Sequence, residues 1–243
     1  MSAVWGVALI CALGGLLVAP LVRRIPEPEP EPDPESAAGE SGEPGHPAEP
    51  AKELYRDIGS RRGLPALAVL LSAGAGGVLG WCLGWSWSQL FLVPLVPVLV
   101  ALAVVDWRTR LLPTWLIART YAALVPLVLL VGVVTQEWDD VIRAGWGWLI
   151  TGALYFVLWF VNSSGLGYGD VRLSGVLGMA LGHLGWGELF AGVYAAFILG
   201  GVVGGVLALA KVVDRRGVPF GPFMVAGALV GVLLGPWTAG RFG

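Results

Sequence analysis

Charge, cysteine and histidine are scarce in this chain, and each scarcity excludes a class of protein. Only 13% of its 243 residues are charged and 56% are hydrophobic, which is too apolar for one soluble core. Cys11 and Cys82 both lie within apolar runs and cannot form a four-ligand zinc site with two well-separated histidines, His46 and His183. We interpret the two cysteines as packing residues.

The apolar runs predict an all-α, polytopic membrane protein with about eight transmembrane helices. These runs are too long for the strands of a β-barrel, and they do not alternate between apolar and polar residues as such strands do. In lipid the backbone must also satisfy its own polar groups, which a helix achieves. The third and sixth runs are short for a span of roughly 17 to 25 residues, but the charges of the loops support counting both. The predicted spans are Ala3–Val22, Leu64–Gly84, Leu90–Val105, Trp115–Val134, Val141–Val161, Val171–Leu184, Leu189–Ala210 and Phe220–Trp237.

Basic residues predict the orientation of these helices. With eight crossings, nearly all of them fall on one side, which the positive-inside rule assigns to the cytoplasm. We therefore expect an inner (plasma) membrane protein with both termini outside and a basic cytoplasmic face that attracts anionic lipid. The residues on that side are Arg23, Arg24, Lys52, Arg56, Arg61, Arg62, Arg108, Arg110, Arg119, Arg172, Lys211, Arg215 and Arg216.

Composition divides the chain into three predicted parts. Residues 1–22 form the first transmembrane helix, which we expect to be a retained anchor rather than a cleaved signal peptide. Residues 23–62 are a cytoplasmic linker, because positions 25–50 hold eight prolines and eight acidic residues and cannot build a core. Residues 63–243 form the membrane domain.

Two aspartates lie at predicted membrane boundaries. Asp106 ends an apolar run and Asp170 opens another. Inserting a carboxylate at the centre of a membrane helix costs about 2.5 to 3.5 kcal/mol of free energy. Acidic residues at such positions therefore favour a functional role. Two crossings separate the aspartates, so both are expected at the cytoplasmic ends of their helices. At about 4 Å their repulsion is roughly 4 kcal/mol at an effective dielectric near 20, so the pair is expected to share one proton. An aspartic protease needs this state.

Glycines surround Asp170. Gly167 and Gly169 leave room for the backbone of an extended peptide to approach. A Rossmann loop is the competing interpretation of these glycines, but it requires a soluble βαβ unit, and Asp170 occupies the position of the third glycine. We therefore interpret this segment as part of a peptide-binding site.

Three motifs resemble the prepilin peptidases, which are membrane proteases of the Gly-x-Gly-Asp type. Residues 106–113, Asp-Trp-Arg-Thr-Arg-Leu-Leu-Pro, resemble the first aspartate motif of that family. Residues 165–173, Gly-Leu-Gly-Tyr-Gly-Asp-Val-Arg-Leu, resemble the second, and Pro-Phe-Gly-Pro at 219–222 is a further match. The resemblance covers the chain from about Arg61 to its C-terminus. Presenilin-like proteases share Gly-x-Gly-Asp, but their first aspartate usually follows tyrosine, whereas Val105 precedes it here.

The resemblance implies an aspartic endopeptidase that removes short basic leader peptides from type IV prepilins and pseudopilins at the cytoplasmic face. It implies Asp106 and Asp170 as the catalytic pair and residues 63–243 as the peptidase domain. No metal or cofactor is expected, and the partners are a prepilin or pseudopilin precursor and membrane lipid, without nucleic acid. The predicted substrate-binding residues are Gly167, Gly169, Arg172, Pro113, Phe220 and Gly221.

Departures from the family pattern leave alternatives open. The Pro/Glu linker stands where many members carry a zinc-bearing domain for N-methylation with S-adenosylmethionine, so that second activity is not expected. Arg172 replaces the usual lysine and is interpreted either as orienting the leader or tuning Asp170, or as a positive-inside residue. Pro113 and residues 219–222 are also consistent with simple helix ends. The functional alternatives are a bifunctional peptidase and methyltransferase, a transporter, and a pilus-assembly scaffold.

Overall fold

Ten helices and no strand are present in the described parts of the chain, residues 1–27, 53–162, 166–209 and 219–242 of a computed structural model. The all-α, polytopic class predicted from the sequence is confirmed. Most of the predicted linker, together with Gly165, Lys211, Arg215 and Arg216, lies outside the described residues. The helices are α1 Ser2–Gly15, α2 Val18–Arg23, α3 Tyr55–Ser60, α4 Leu64–Leu83, α5 Gln89–Thr109, α6 Thr114–Thr135, α7 Trp138–Val161, α8 Tyr168–Leu184, α9 Trp186–Leu209 and α10 Gly221–Phe242.

Six helical segments in the described residues are long and apolar enough to cross a membrane. They are Ser2–Arg23, which joins α1 and α2, then α4, α5, α6, α7 and the first 18 residues of α9. The apolar part of α10, Gly221–Gly235, is shorter, and α8 has 17 residues. The count of eight crossings therefore stays a prediction, with six supported by length and composition.

The third predicted span ended too early. The sequence predicted Leu90–Val105 with Asp106 after its end, whereas α5 continues to Thr109 and places Asp106 inside its last turn. A charged residue does not interrupt the backbone hydrogen bonds of a helix. The helix ends instead where Arg110 turns into the left-handed conformation, at φ 57°, and its N–H donates to the carbonyl of Asp106.

Helix α5 lies at the centre of the bundle. In its most apolar window 56% of residues are buried, compared with 22% to 33% in the other five candidate spans. It contacts α1, α2, α4, α6 and α10, while α1 pairs with α4, α7 with α8, and α9 with α10. Glycines bring these pairs close together: a Cβ on Gly182 of α8 would lie 2.8 Å from the carbonyl oxygen of Arg143 on α7.

A short helix occupies part of the predicted linker 23–62. In α3, Tyr55 and Ile58 are buried, at 4% and 1% exposure. Two apolar side chains one turn apart give this six-residue helix a buried face, and it packs against α2, α4 and the end of α5. The C-terminal end of the linker is thus part of the packed structure.

Candidate active site

Asp106 is buried in the last turn of α5. Its side chain is 4% exposed, and its Oδ2 accepts a hydrogen bond of 2.9 Å from the backbone N–H of Gly221. Gly221 is the first residue of α10, so the carboxylate lies at the positive end of that helix. A Cβ at position 221 would lie 2.7 Å from the same oxygen, and only glycine allows this approach.

Asp170 is buried in the first turn of α8. Its Oδ2 accepts a hydrogen bond of 3.0 Å from the N–H of Gly167, the residue before the helix, and its own N–H donates to the carbonyl of Gly167. The carboxylate therefore caps the helix to which it belongs. Its Oδ1 is buried and has no hydrogen-bond partner among the described residues. A buried acceptor left unpaired is costly, so this oxygen is a feature that requires an explanation.

The two carboxylates lie at the same end of the bundle. Asp106 and Asp170 are close enough to interact electrostatically. Helix α10 contacts both α5 and α8, and its first residue binds Asp106. Two acids from distant parts of the chain thus lie near each other, and the first of them is bound by the start of a third helix.

The loop after Asp106 packs directly on the glycine before Asp170. A Cβ on Gly169 would lie 2.7 Å from Cβ of Leu112, which leaves no room for a side chain there. Pro113 follows Leu112, is buried and immediately precedes α6. The contact between Leu112 and Gly169 therefore joins the segments that carry the two aspartates.

Arg172 lies one turn beyond the glycine segment and is held by neighbours on two sides. Its Nη1 donates to the hydroxyl of Thr114, and its guanidinium stacks on the ring of Tyr168 at 4.5 Å from the centroid. The hydroxyl of Tyr121 donates to the backbone carbonyl of Arg172 at 2.9 Å. These contacts hold the guanidinium of Arg172 in place. The sequence alone does not distinguish Arg172 from the other arginines.

Phe220 closes the other flank of the site. Its ring lies 5.6 Å from the ring of Phe197 on α9 and 6.1 Å from the ring of Tyr155 on α7. Tyr155 is 2% exposed, so its hydroxyl is buried at this flank of the site. The sequence analysis missed Tyr155, because a single tyrosine in an apolar run has no distinguishing pattern.

An apolar cavity of about 290 Å³ lies within the bundle and begins one turn before Asp106. It lies between α4, α5, α8 and α10. Ala103, one turn before Asp106, and Pro222, next to Gly221, line one end, and Leu79 and Val232 line the other. The cavity therefore runs along the helices, away from the end of the bundle that holds the carboxylates.

This arrangement is suited to moving protons between two acids, a water molecule and a carbonyl group. Each carboxylate has one oxygen fixed by a backbone N–H, so the orientation of both groups is set before a substrate binds. Asp170 retains an unpaired oxygen that a water molecule would satisfy. The geometry supports general acid–base chemistry.

The cysteines do not fit the zinc site that many prepilin peptidases carry. Cys11 is buried against α4, since a Cβ added to Gly76 of that helix would lie 2.6 Å from Cβ of Cys11. Cys82 lies in α4 itself. His183 packs edge-on against Phe91 at the opposite end of α8 from Asp170. Two cysteines in apolar helices cannot supply the four ligands of such a site.

The structure gathers most of the predicted site residues at one end of the bundle. Asp106, Asp170, Gly167, Gly169 and Gly221 form its centre. Phe220 precedes Gly221, Arg172 lies two positions after Asp170, and Pro113 follows Leu112, which packs on Gly169. Gly167 and Gly221 were predicted as substrate-binding residues, and their backbone N–H groups bind the carboxylates of Asp170 and Asp106.

Comparison with known proteins identifies relatives of this region. Residues 93–209 match the family described as the type IV leader peptidase family. The prepilin leader peptidase/N-methyltransferase of Aeromonas salmonicida (strain A449) is 31% identical over 172 residues, which cover 70% of this chain and 57% of that protein. Its namesake in Pseudomonas putida is 33% identical over 170 residues, covering 65% of this chain and 54% of that protein.

A third relative of the same name, from Pseudomonas aeruginosa, is 28% identical over 190 residues, covering 73% of this chain and 60% of that protein. The chain spans less than two thirds of the length of each of these curated relatives. No solved structure matches it. The matched region contains Asp106, Asp170 and the two glycines before Asp170. Residues 93–209 of this chain are thus similar to the type IV leader peptidase family.

Proposed function

We propose that this protein is an aspartic endopeptidase that cleaves leader peptides from type IV prepilin-like precursors. The observation that carries the proposal is the pair of buried carboxylates, Asp106 and Asp170. Each is held through one oxygen by a backbone N–H at the start of a helix, and they interact with each other. The similarity of residues 93–209 to the type IV leader peptidase family, and of the chain to relatives named for leader-peptide cleavage, supports the proposal.

The proposed chemistry follows from this geometry. The ionised carboxylate removes a proton from water. The oxygen of that water forms a bond to the carbonyl carbon of the scissile peptide at the same time. The protonated partner donates its proton to the carbonyl oxygen, which gives a neutral tetrahedral intermediate. The carboxylate that took the proton from water then donates it to the peptide nitrogen as the C–N bond breaks. One hydroxyl of the intermediate returns its proton to the other carboxylate, which leaves a carboxylic acid, a new N-terminus and the aspartate pair in its starting state. The proposed reaction therefore involves the two aspartates, one water molecule and the scissile peptide.

The surroundings of the pair support a membrane-embedded substrate. The cavity from Ala103 and Pro222 to Val232 is apolar and would accept a hydrophobic helix that follows the scissile bond. We propose that the aspartates face the cytoplasm in the inner membrane, because basic residues concentrate at their end of the bundle. Arg172, fixed by Thr114 and Tyr168, is proposed to contact the polar leader.

The test is to co-express the chain with several pilin-like precursors and read each precursor's N-terminus by mass spectrometry. Asp106→Asn and Asp170→Asn should each abolish shortening. Asp139→Asn, which changes an exposed acid in the first turn of α7, is the matched control and should cleave like the wild type. Cleavage retained by both active-site variants would reject the proposal.

The alternative functions give other results in the same experiment. A scaffold would bind precursors in pull-down without shortening them, whether or not the aspartates are present. A transporter would keep measurable flux after one substitution. A bifunctional enzyme would add a methyl group to the new N-terminus only when S-adenosylmethionine is supplied, and mass spectrometry detects that increment directly.

A further inference from the structure

Two neighbouring helices donate side-chain hydroxyl groups to backbone carbonyls near the start of α8. Tyr121 of α6 donates to the carbonyl of Arg172 at 2.9 Å, and Thr151 of α7 donates to the carbonyl of Ser174 at 3.0 Å. Both acceptors lie within about one turn of Asp170, which is in the first turn of α8. A backbone carbonyl has two lone pairs, so it accepts such a bond without losing its bond within the helix. Hydroxyl groups from two helices therefore hold the segment that carries Asp170.

Glycines in α8 make room for both hydroxyl groups. A Cβ on Gly175 would overlap the hydroxyl oxygen of Tyr121 and would lie 2.8 Å from Cδ1 of Trp148. A Cβ on Gly178 would overlap the hydroxyl oxygen of Thr151. Small residues let membrane helices approach closely, and hydroxyl groups then form hydrogen bonds between the helices. The sequence of α8 thus provides a place for each donor.

The bond from Tyr121 acts closest to Asp170. Arg172 follows Asp170 by two residues, or about 3 Å along the helix axis, so its carbonyl lies next to the first turn. Apolar contacts between helices in lipid have little directional preference, because lipid tails are as apolar as the side chains. A directional bond from α6 therefore fixes the rotation of α8 about its own axis. This rotation sets the position of Asp170 relative to Asp106.

We propose that Tyr121 is a positioning residue of the active site, which fixes the rotation of α8 and thereby holds Asp170 near Asp106. Tyr121 lies on α6, whereas the apolar cavity proposed for the substrate helix is lined by α4, α5, α8 and α10. Its bond goes to the backbone of Arg172 and not to the guanidinium. We therefore expect Tyr121 to act on the chemical step rather than on substrate binding.

The kinetic consequence of this proposal rests on the proposed function. Its structural consequence, the order of the first turn of α8, does not depend on any activity. The two consequences can be measured separately.

The test compares Tyr121→Phe, which removes the hydroxyl and keeps the ring, with Tyr194→Phe. The second variant is the matched control, because it removes the same group from a side chain on α9 that is 70% exposed. Gly175→Ala is a further variant, which displaces the hydroxyl of Tyr121 without removing it. The kinetics of precursor cleavage are measured first. Hydrogen–deuterium exchange is then measured at the amides of Gly167 and Asp170, whose hydrogen bonds close the first turn of α8.

Tyr121→Phe is expected to lower kcat by about threefold to tenfold with KM unchanged, the range of a single hydrogen bond. The amides of Gly167 and Asp170 should exchange faster, while those of α4 exchange as in the wild type. Tyr194→Phe should match the wild type in both measurements. Gly175→Ala should also lower kcat and speed this exchange. Combining it with Tyr121→Phe should cause less than the product of the two separate losses, because both act on one hydroxyl.

A kcat equal to that of the wild type in Tyr121→Phe would overturn the proposal, as would unchanged exchange at Gly167 and Asp170. An effect confined to KM would also overturn it and would assign Tyr121 to substrate binding through Arg172. Faster exchange throughout the bundle, including α4, would show that the hydroxyl only stabilises the fold, which is a third contrary result. If the wild type processes no precursor, the proposed function fails, and the exchange measurement still decides whether Tyr121 orders the start of α8.

Discussion

Gly221 donates its backbone N–H to Oδ2 of Asp106 across 2.9 Å, although 115 positions separate the two residues. The bond places the start of the last helix at the carboxylate of α5. Helix α10 also contacts α8, so the same helix packs against both helices that carry the aspartates. The position of α10 thus determines the geometry of the pair, and the predictions below test the contacts that fix it.

Gly221→Ala is expected to displace the carboxylate of Asp106. The added methyl would lie 2.7 Å from Oδ2 and 3.2 Å from Cγ, so the side chain must rotate away from its hydrogen bond. A displacement of this size at a reacting group lowers the rate by about tenfold to a hundredfold. Precursor cleavage, followed as a time course on gels, measures the loss. Gly201→Ala is the control, because no atom lies within 4 Å of its added methyl. Equal rates in both variants would show that the Gly221 contact does not position Asp106.

Gly169→Ala is expected to separate the two aspartate segments. Its methyl would meet Cβ of Leu112 at 2.7 Å, and overpacking of this kind costs about 1 to 3 kcal/mol. Cleavage should fall, and adding Leu112→Gly, which removes the opposing Cβ, should recover part of the rate. Initial rates of the single and double variants measure the recovery. A double variant no faster than Gly169→Ala would contradict the steric explanation.

Arg172→Lys is expected to raise KM severalfold while kcat changes little. Lysine keeps the charge but cannot reproduce the planar contacts to Thr114 and Tyr168. Thr114→Val should have a similar effect, and the double variant should be no worse than either single change. Steady-state kinetics separate the two constants. Arg119→Lys, which alters another arginine stacked on an aromatic ring, should leave both unchanged. Strictly additive losses would indicate that Arg172 acts without Thr114.

Ala226→Trp is expected to obstruct the apolar cavity, because residue 226 lines it between α5 and α10. Cleavage of a full precursor should fall by about fivefold or more, since overpacking costs about 1 to 3 kcal/mol. A short soluble peptide containing the same scissile bond should be cleaved at the wild-type rate, because it lacks the hydrophobic helix. Ala195→Trp, on the surface between α7, α9 and α10, is the control. Equal inhibition of peptide and precursor would mean that the cavity does not bind the helix.

Gly182→Ala is expected to destabilise the bundle without touching the aspartates. Its methyl would lie 2.8 Å from the carbonyl oxygen of Arg143 and 3.1 Å from Cα of Gly147, and backbone atoms can move only if α7 and α8 separate. The free energy of unfolding should fall by about 1 to 3 kcal/mol. Thermal unfolding in detergent, followed by circular dichroism, measures the change. Gly152→Ala, also in the α7–α8 pair but with no atom within 4 Å of its methyl, should unfold like the wild type.

The sequence predicts the helices well, because lipid leaves the backbone no alternative to internal hydrogen bonds. It placed the end of α5 one turn too early, since polarity marks the membrane boundary rather than the last hydrogen-bonded residue. It also assigned Tyr55 to a linker. Proline and glutamate dominate that segment, and a six-residue helix with one aromatic side chain changes its composition too little to be noticed.

The aspartate pair was also predictable, because two crossings place both acids at one end of the bundle. The groups that hold the acids were not. Gly167 and Gly221 act through backbone N–H groups, and the sequence does not show where a backbone donor will point. Thr114 and Tyr121 reach Arg172 from another helix, and such contacts depend on helix rotation, which the apolar pattern of a membrane span leaves open.

The hydrogen bonds between Glu27 and the start of α3 have a consequence for how this architecture tolerates change. They tie positions 27 and 55 together, so the chain leaves the bundle and returns to it at one place. We expect insertions, deletions or an exchanged module between these two positions to leave the packing of α3 unchanged. This point is therefore a site at which another domain can be attached to the helical bundle.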